Sequence, residues 1–553
     1  MRRVRLIGTA LALALALSGC SSPATETPQP STPVQTQTPT QPPINDPYVW
    51  TDWSQLEGET SYPTRYERWH GAFTDHLIPS PDYGPLIPFS GGAIADEWGG
   101  EYGTYAPEGL MTLEGKVVVD PVYSAVTRLS SHWDWERGTP PDTYYPAFLL
   151  CRYAGDGQGN LFGGYRDVRS VLCAADGSWV TPEYRFSYTA MVYGTGMQDG
   201  AIFALQDDNT LVLLGVSSGK ELFSTALGDL NEDQRMELLD DAYYGGGRVI
   251  LQTRLVSWDA TVGYSLRCWD VDSGEELSLP ADVDTVNGFS DGMWGARSSV
   301  SKQWGYLDEN LNWAIPPQFS YVRPFEKGVA LLGSHAHQLI DKGGNILYET
   351  PTYDSCHQTG DYWYFLGYAE DAGLVVDNKG NEIASPLLFG GPVVVLDHGW
   401  AVMKQPDGSQ LLARGAESWT IPENWGYIQA TTEDTIYFAS WEFFSPDDRA
   451  PRWSVWHPET EAKPTVFMGS FDRGSLRTDP VTGESYCVVY NSDSTYSVFT
   501  NQGELLFDRV PGWPNLHGGR CLCAETDGGW RTVTLLGKDG SPLLHRRWVT
   551  PFD

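Results

Sequence analysis

The segment WGYLD at residues 304–308 is followed by WAIPPQF at 313–319 and FEKGVA at 325–330, which together have the pattern of a β-hairpin unit. In the first segment, Tyr306 and Asp308 alternate with Gly305 and Leu307, as the two faces of a pleated strand require. The Asp and Asn residues at 308–312 favour a tight turn. Pro316-Pro317 cannot donate ladder hydrogen bonds, so the second strand must stop or reach a sheet edge. One such hairpin is marginal in water, so it must stack on neighbours.

Parts of this unit recur along the chain. The segments 289–292 and 325–328 have the same F-x-x-G pattern 36 residues apart, and residues 109–123 align with 305–319 without a gap. Units of roughly 35–45 residues, repeated over the length of the chain, would number ten or more and indicate a repeat array.

The unit closely resembles the bacterial WG-repeat family, whose pattern runs W-G-Y-I-D, a turn, W-V-I-P-P-x-F/Y and F-x-x-G-x-A. The clearest unit spans 289–330, and we interpret residues 47–553 as a WG-repeat-like β body. The resemblance implies an architecture rather than an activity, with structural roles for the repeat positions. These positions are Trp304, Gly305, Trp313, Pro317, Phe319, Phe325 and Gly328.

The predicted fold class is all-β, an array of β-hairpin units. A β-propeller would place the sheets around an axis, whereas an open β-solenoid would stack the hairpins in a line. The turn spacing is irregular, with 28 residues from Gly380 to Gly408 and 95 from Gly408 to Gly503. This irregularity favours a propeller with variable loops. One helix is predicted over residues 231–244, because acidic residues fill its first turn.

The N-terminal segment predicts export and lipidation. Residues 1–19 combine three Arg with a short apolar run, which is typical of a signal peptide. The run ends Leu17-Ser18-Gly19-Cys20, which resembles a bacterial lipobox and implies a thioether-linked lipid on Cys20 and further acylation such as palmitate. Residues 20–46 are rich in Pro and Thr and form a predicted stalk. We therefore expect a membrane-anchored protein with its body on the extracytoplasmic side of the cell envelope.

Charge limits the possible partners. The chain has 36 Lys and Arg against 71 Asp and Glu, a formal charge of −35. Nucleic acid is excluded, because phosphate binding requires basic patches. Neutral glycans or surface proteins are better candidates than anionic polymers.

Two motifs suggest chemistry but also fit ordinary structure. Residues 215–219 match G-x-S-x-G, but 220–223 continue as a strand where a nucleophile elbow needs a helix, so a hairpin turn is predicted. Residues 229–240 place acids at EF-hand spacing, yet Gln234 occupies the position that requires Gly and the preceding helix is missing. We predict a capped helix there rather than a calcium site.

The His and Cys residues predict no metal centre. His335 and His337 would share a face of a strand, as two zinc ligands could, but His337 aligns with Trp304 of the repeat. Cys356-His357 could add ligands only if the fold brought them close. The seven Cys after Cys20 are scattered, so most are expected to be buried free thiols. No cofactor motif is present.

These observations favour a lipid-anchored cell-surface protein whose β body acts as a non-enzymatic binding or scaffold module. The alternative is a surface hydrolase acting on glycans, with carboxylates on propeller loops, since fold alone does not decide function.

Overall fold

The computed structural model describes most of the chain after residue 76 and one short strand before it. The described residues are 59–61, 77–90, 108–123, 125–130, 144–153, 168–230, 232–256, 261–332, 337–350, 355–366, 374–383, 393–396, 398–404, 409–421, 427–431, 434–440, 452–461, 465–467, 471–491, 493–527 and 530–549. The chain divides into two units, Met1–Pro47 and Tyr48–Asp553, and everything described below belongs to the second.

Nearly all of the regular secondary structure in the described residues is β-strand, arranged in eleven small sheets that are numbered here in chain order. The strands of sheets 1 to 4 are as follows: sheet 1, β2 Leu86–Ser90, β3 Glu108–Thr112 and β4 Val117–Tyr123; sheet 2, β5 Ala125–Ser130, β6 Tyr144–Tyr153 and β7 Val168–Ala174; sheet 3, β8 Ala201–Leu205, β9 Thr210–Gly215 and β10 Glu221–Ala226; sheet 4, β11 Ala242–Gly245, β12 Arg248–Val256, β13 Thr261–Asp270 and β14 Glu276–Leu277.

Sheets 5 to 8 follow the same antiparallel meander. Their strands are: sheet 5, β15 Val283–Ser290, β16 Met293–Ser298, β17 Trp304–Leu307 and β18 Trp313–Phe319; sheet 6, β19 Val329–Leu332, β20 His337–Asp341 and β21 Ile346–Thr350; sheet 7, β22 Ser355–Thr359, β23 Tyr362–Leu366, β24 Leu374–Asp377 and β25 Glu382–Ile383; sheet 8, β26 Val393–Val395, β27 Trp400–Lys404, β28 Gln410–Arg414 and β29 Glu417–Ile421.

Sheets 9 to 11 complete the body, and the last one includes the first strand of the chain. Their strands are: sheet 9, β30 Tyr427–Thr431, β31 Ile436–Ser440, β32 Arg452–Trp456 and β33 Thr465–Phe467; sheet 10, β34 Phe471–Thr478, β35 Ser485–Asn491, β36 Tyr496–Thr500 and β37 Leu505–Val510; sheet 11, β38 Asn515–His517, β39 Arg520–Asp527, β40 Trp530–Leu536 and β41 Pro542–Val549, with β1 Glu59–Ser61 parallel to β41.

The inner strands are apolar on both faces because each sheet packs between two others. In β8, Phe203 faces the cluster shared with sheet 4, whereas Ile202 and Ala204 face the cluster shared with sheet 2. All five residues of β8 are therefore buried. In the sequence, such strands are continuous apolar runs, whereas a strand of a surface sheet alternates apolar and polar residues.

Hydrophobic clusters join the sheets in a closed cycle. Ten clusters each combine buried residues of successive sheets, from sheets 1 and 2 to sheets 10 and 11. The eleventh joins Ile87 and Met111 of sheet 1 to Val533 and Leu535 of sheet 11. Pairing of β1 with β41 ties the two ends of the body in the same place. The prediction of an all-β, propeller-like array is confirmed, since an open solenoid would leave its terminal sheets unpaired.

Side chains also connect neighbouring sheets to each other's backbone. Asn287 Nδ2 of sheet 5 donates to the carbonyl of Val322 at 3.0 Å, just before sheet 6. The Tyr364 hydroxyl of sheet 7 donates to the carbonyl of Gly399 at 2.8 Å, just before β27. The backbone N–H of Leu516 in sheet 11 donates to the Tyr486 hydroxyl of sheet 10 at 3.0 Å. These bonds hold sheet 5 against sheet 6, sheet 7 against sheet 8 and sheet 10 against sheet 11.

The WG unit crosses the boundary between two sheets. Its first two strands, β17 and β18, are the last two strands of sheet 5. Its last part, including β19, belongs to sheet 6, where isolated bridges pair Glu326 with Val329 and Val322 with Leu332. Pro316 and Pro317 lie on β18, at the outer edge of sheet 5, as their missing donors require.

Two short helices are described, α1 Tyr188–Tyr193 and α2 Glu232–Asp240. The predicted helix over 231–244 is therefore wrong at its C-terminal end. Residues 242–245 form β11 instead, because Ala242 is buried and β11 pairs along its whole length with β12. Neither helix in the described part of the chain has the length and apolar character needed to cross a membrane.

Candidate ligand-binding site

The structure places the repeat residues in the packing between sheets. Phe325 is fully buried against the Tyr306 ring, with centroids 4.6 Å apart. A Cβ atom on Gly305 would lie 2.4 Å from the carbonyl oxygen of Ile315, so a larger residue cannot fit there. Gly328 adopts a φ of 84°, which favours glycine.

The two repeat tryptophans are only partly covered. Trp304 and Trp313 are both half-buried, and Trp313 Nε1 donates to Asp282 Oδ1 at 3.2 Å. Phe319 and Pro317 on β18 are also half-buried. Trp304 and Phe319 pack against the cluster that Tyr306 and Phe325 form between sheets 5 and 6. Trp313 packs against the cluster between sheets 4 and 5.

The G-x-S-x-G match is a hairpin turn. Residues 215–219 connect β9 to β10, and Gly219 has a φ of 63°. A strand, not a helix, follows Ser217, so the hydroxyl is not held at a strand-to-helix elbow. The prediction of a hairpin turn is confirmed.

The calcium-like pattern is occupied by helix α2. Gln234 and Asp240 lie within Glu232–Asp240, where an EF-hand would need a ligating loop. Asn231 lies outside the described residues, as do Cys20, His335 and the two termini. Among the residues that the structure describes, no three His, Cys, Asp or Glu side chains are grouped to hold a metal ion.

The seven cysteines within the described sheets are free and buried, as expected: Cys151, Cys173, Cys268, Cys356, Cys487, Cys521 and Cys523. Cys521 and Cys523 lie on one face of β39 with their sulfurs 3.5 Å apart. Cys356 is buried and His357 is exposed, because successive residues of β22 point to opposite faces. They do not form a thiol–imidazole pair.

A cavity of about 290 Å³ opens where sheets 6, 7 and 8 meet. Its lining comes from β19 and the segment before it, from β22 and β23, and from the end of β26. The lining residues are Arg323, Pro324, Glu326, Leu331, Cys356, His357, Gln358, Thr359, Trp363, Val395 and Leu396. Ligand pockets in proteins start at about 300 Å³, so this volume suits one small molecule or one sugar unit.

Hydrogen bonds hold the walls of the cavity in place. Thr359 Oγ1 accepts from the backbone N–H of Gly399 at 2.8 Å, which joins sheets 7 and 8. Trp363 Nε1 donates to Asn378 Oδ1 at 2.8 Å, and only 4 % of this residue is exposed. The indole is therefore a fixed wall of the cavity, not a mobile side chain.

The charges at the cavity rim are mixed. Arg323 and Glu326 are both exposed. At the base, burial raises the pKa of the Cys356 thiol to about 12, although the Arg323 charge opposes this shift. The thiol is protonated at neutral pH and is a poor nucleophile. The arrangement can bind a neutral polar molecule through an aromatic wall, an amide and a hydroxyl.

Sequence reasoning did not find this cavity. Its residues come from three sheets, and Gln358 and Trp363 carry no motif. The relevant feature of the sequence was its high aromatic content, which does not distinguish Trp363 from the rest of the 22 tryptophans.

The fold and the cavity define a closed β-repeat array with one small cavity described above, lined by polar and apolar side chains. Comparison with protein families supports the repeat: the family described as "WG containing repeat" matches residues 304–332. No curated protein matches the chain.

Solved structures resemble the chain only weakly. A eukaryotic initiation factor is 11 % identical, with 65 % of this chain and 98 % of that chain covered and a TM-score of 0.33. BamB from Moraxella catarrhalis is 11 % identical, with coverages of 62 % and 92 % and a TM-score of 0.24. The designed protein Ika8 is 12 % identical, with coverages of 64 % and 94 % and a TM-score of 0.23.

Proposed function

We propose that the protein is a lipid-anchored, extracytoplasmic binding protein whose β body takes a neutral polar ligand, such as a glycan unit, in the cavity between sheets 6, 7 and 8. The observation that carries the proposal is the combination, in one cavity, of the fixed Trp363 wall with the amide of Gln358 and the imidazole of His357. Aromatic faces with a few placed hydrogen-bonding groups are the usual composition of such sites.

The charge distribution supports a neutral ligand. Arg323 and Glu326 contribute opposite charges at the cavity rim. Loss of residues 1–19 would leave 33 Lys and Arg against 71 Asp and Glu, a charge of −38 that repels anionic polymers. The protonated Cys356 thiol gives the cavity no thiolate nucleophile at neutral pH, since the thiolate is the reactive form.

Binding can be tested with the full chain purified in detergent. A neutral oligosaccharide array would identify a ligand, and calorimetry would then give its affinity. We expect Gln358→Ala and His357→Ala to weaken binding at least tenfold, because each removes a hydrogen-bonding group from the cavity. Gln303→Ala, on an exposed position of sheet 5, is the matched control.

Two results would contradict this function. If the Gln358→Ala variant bound the ligand with the same affinity as the unmodified protein, the cavity would not be the binding site. Release of shorter sugars from the bound glycan, followed by chromatography, would replace the binding role with that of a hydrolase.

The lipid anchor is tested separately. Metabolic labelling with an alkyne analogue of palmitate should mark the protein and should be lost in Cys20→Ala. Cys356→Ala is the control, because its thiol is buried within sheet 7. Labelling that persists in Cys20→Ala would contradict the anchor.

A further inference from the structure

Three tight turns, one from each of the sheets around the cavity, contact one another. They contain Lys327-Gly328 before β19 of sheet 6, Gly360-Asp361 between β22 and β23 of sheet 7, and Gly399 before β27 of sheet 8. Glu326 and Thr359, which directly precede the first two turns, both line the cavity. The turns therefore border the cavity, and the contacts between them hold its walls together.

The turns of sheets 7 and 8 are joined by buried contacts. The N–H of Gly399 donates to Thr359 Oγ1, and its carbonyl oxygen accepts from the Tyr364 hydroxyl, both at 2.8 Å. A Cβ atom on Gly360 would lie 3.1 Å from the Cα of Gly399, so the two backbones approach closely. This boundary cannot open without the loss of two buried hydrogen bonds.

The turns of sheets 6 and 7 are joined by an exposed ion pair instead. Lys327 Nζ lies 2.6 Å from Asp361 Oδ1 and also donates to the carbonyl oxygen of Gly360 at 3.3 Å. The side chains of Lys327 and Asp361 are 58 % and 70 % exposed. An exposed pair of this kind shifts an equilibrium by about fivefold at most, and salt weakens it.

Apolar packing joins the same two sheets independently of this ion pair. Leu331, Cys356 and Trp363 of the cavity lining belong to the cluster that sheets 6 and 7 share. Loss of the ion pair would therefore let the turns of sheets 7 and 8 move together away from Lys327 while the sheets stay joined. Such a motion is a local opening, which costs less free energy than global unfolding.

We propose that the Lys327–Asp361 ion pair is a salt-sensitive clasp that controls access to the cavity between sheets 6, 7 and 8. The proposal rests on the function proposed for this cavity, since a clasp regulates ligand exchange only where a ligand binds. With the clasp closed, the wall that carries Gln358 and Thr359 is held against sheet 6. At high ionic strength the clasp opens more often, and a ligand enters and leaves faster.

The Cys356 thiol reports on the clasp without any ligand. It lines the cavity and is only 8 % exposed, so a thiol reagent reaches it mainly when the cavity opens. The full chain in detergent is treated with N-ethylmaleimide, a small neutral reagent, and modification of each cysteine is followed by peptide mass spectrometry. Lys327→Met keeps the length of the side chain and removes its charge. It should speed the modification of Cys356 about twofold to fivefold, as expected for the loss of one exposed ion pair.

Two controls accompany this measurement. Lys342→Met breaks a similar ion pair, with Asp291 at 2.7 Å, whose residues do not line the cavity. Its rate at Cys356 should equal that of the unmodified protein. Cys487, which is fully buried in sheet 10, should react equally slowly in every variant, because its exposure does not depend on the clasp.

Salt and charge reversal separate the clasp from a loss of packing. An increase from about 20 mM to about 0.5 M sodium chloride should speed the modification of Cys356 in the unmodified protein but not in Lys327→Met. The double variant Lys327→Glu with Asp361→Lys keeps an ion pair and should return to the unmodified rate. Equal rates at Cys356 in Lys327→Met and the unmodified protein, or a salt effect that persists in Lys327→Met, would overturn the proposal. Neither result would bear on ligand binding, which the Gln358→Ala comparison tests separately.

Discussion

The hydroxyl of Tyr306 donates a hydrogen bond to the carbonyl oxygen of Arg323 at 2.7 Å, across the boundary between sheets 5 and 6. The ring of the same residue packs on Phe325. An aromatic residue of the WG unit thus contacts the segment that leads into the next sheet, so this unit of the sequence repeat also forms the contact between two sheets.

Removal of this hydroxyl should weaken the joint. Tyr306→Phe keeps the ring but removes the hydroxyl, so the carbonyl oxygen of Arg323 loses its hydrogen-bond donor. The free energy of unfolding should therefore fall by about 1–2 kcal/mol. Tyr321→Phe is the control, because Tyr321 is 46 % exposed. Thermal unfolding of the two variants would give the comparison, and equal melting temperatures would contradict a role for this hydrogen bond.

Gly305→Ala should destabilise the same region by overpacking. The added methyl would lie 2.4 Å from the carbonyl oxygen of Ile315. This oxygen belongs to the backbone of the paired strand, so it cannot move away as the end of a flexible side chain could. Overpacking of this kind costs about 1–3 kcal/mol. Gly343→Ala provides a matched control, since the nearest atom there, Asn345 Nδ2, ends a flexible side chain. An unchanged melting temperature for Gly305→Ala would mean that β17 and β18 are not paired in this register.

Closure of the body can be tested at the contact between its first and last sheets. Leu535 is fully buried in the cluster that joins sheets 11 and 1. Leu535→Ala should lower the free energy of unfolding by about 2–5 kcal/mol, as the replacement of a buried leucine by alanine does in other proteins. Leu543→Ala is the control, because Leu543 is 39 % exposed. In a closed cycle the loss should shift one cooperative transition; separate melting of the terminal sheets would contradict closure.

Glu108 should make stability depend on pH. Burial raises the pKa of this carboxyl from 4.5 to about 7, against the opposing effects of the Val126 N–H and the Arg531 charge. Between these two values the folded protein holds a proton that the unfolded chain releases, so stability falls as the pH rises through this window. Glu108→Gln has no such proton and should gain up to about 3 kcal/mol relative to the unmodified protein between pH 5 and pH 8.

The measurement is the difference in unfolding free energy between Glu108→Gln and the unmodified protein at each pH, because other titrating groups cancel in that difference. Glu114→Gln, whose side chain is 70 % exposed, should show no comparable trend. A pH-independent difference for Glu108→Gln would contradict the raised pKa.

Local sequence features predicted the units of this fold correctly. Each of these features depends on residues only a few positions apart: the Asp-Gly and Asp/Asn-rich turns, the alternation around Tyr306 and the proline pair at an edge. Hairpins form from such short-range preferences. The same reasoning overextended the helix to residue 244, because pairing of β11 with β12 overrides a local helical preference.

The sequence by itself determined that the chain is an array of β-hairpins, whereas the export and lipidation read from its first twenty residues stay predictions. Only the tertiary structure decided that the repeat closes, since β1 and β41 are separated by almost the whole chain. It also decided which polar groups meet. The Trp363 cavity arises from side chains on separate sheets. Its lining depends on packing between sheets, which the local pattern of residues does not indicate.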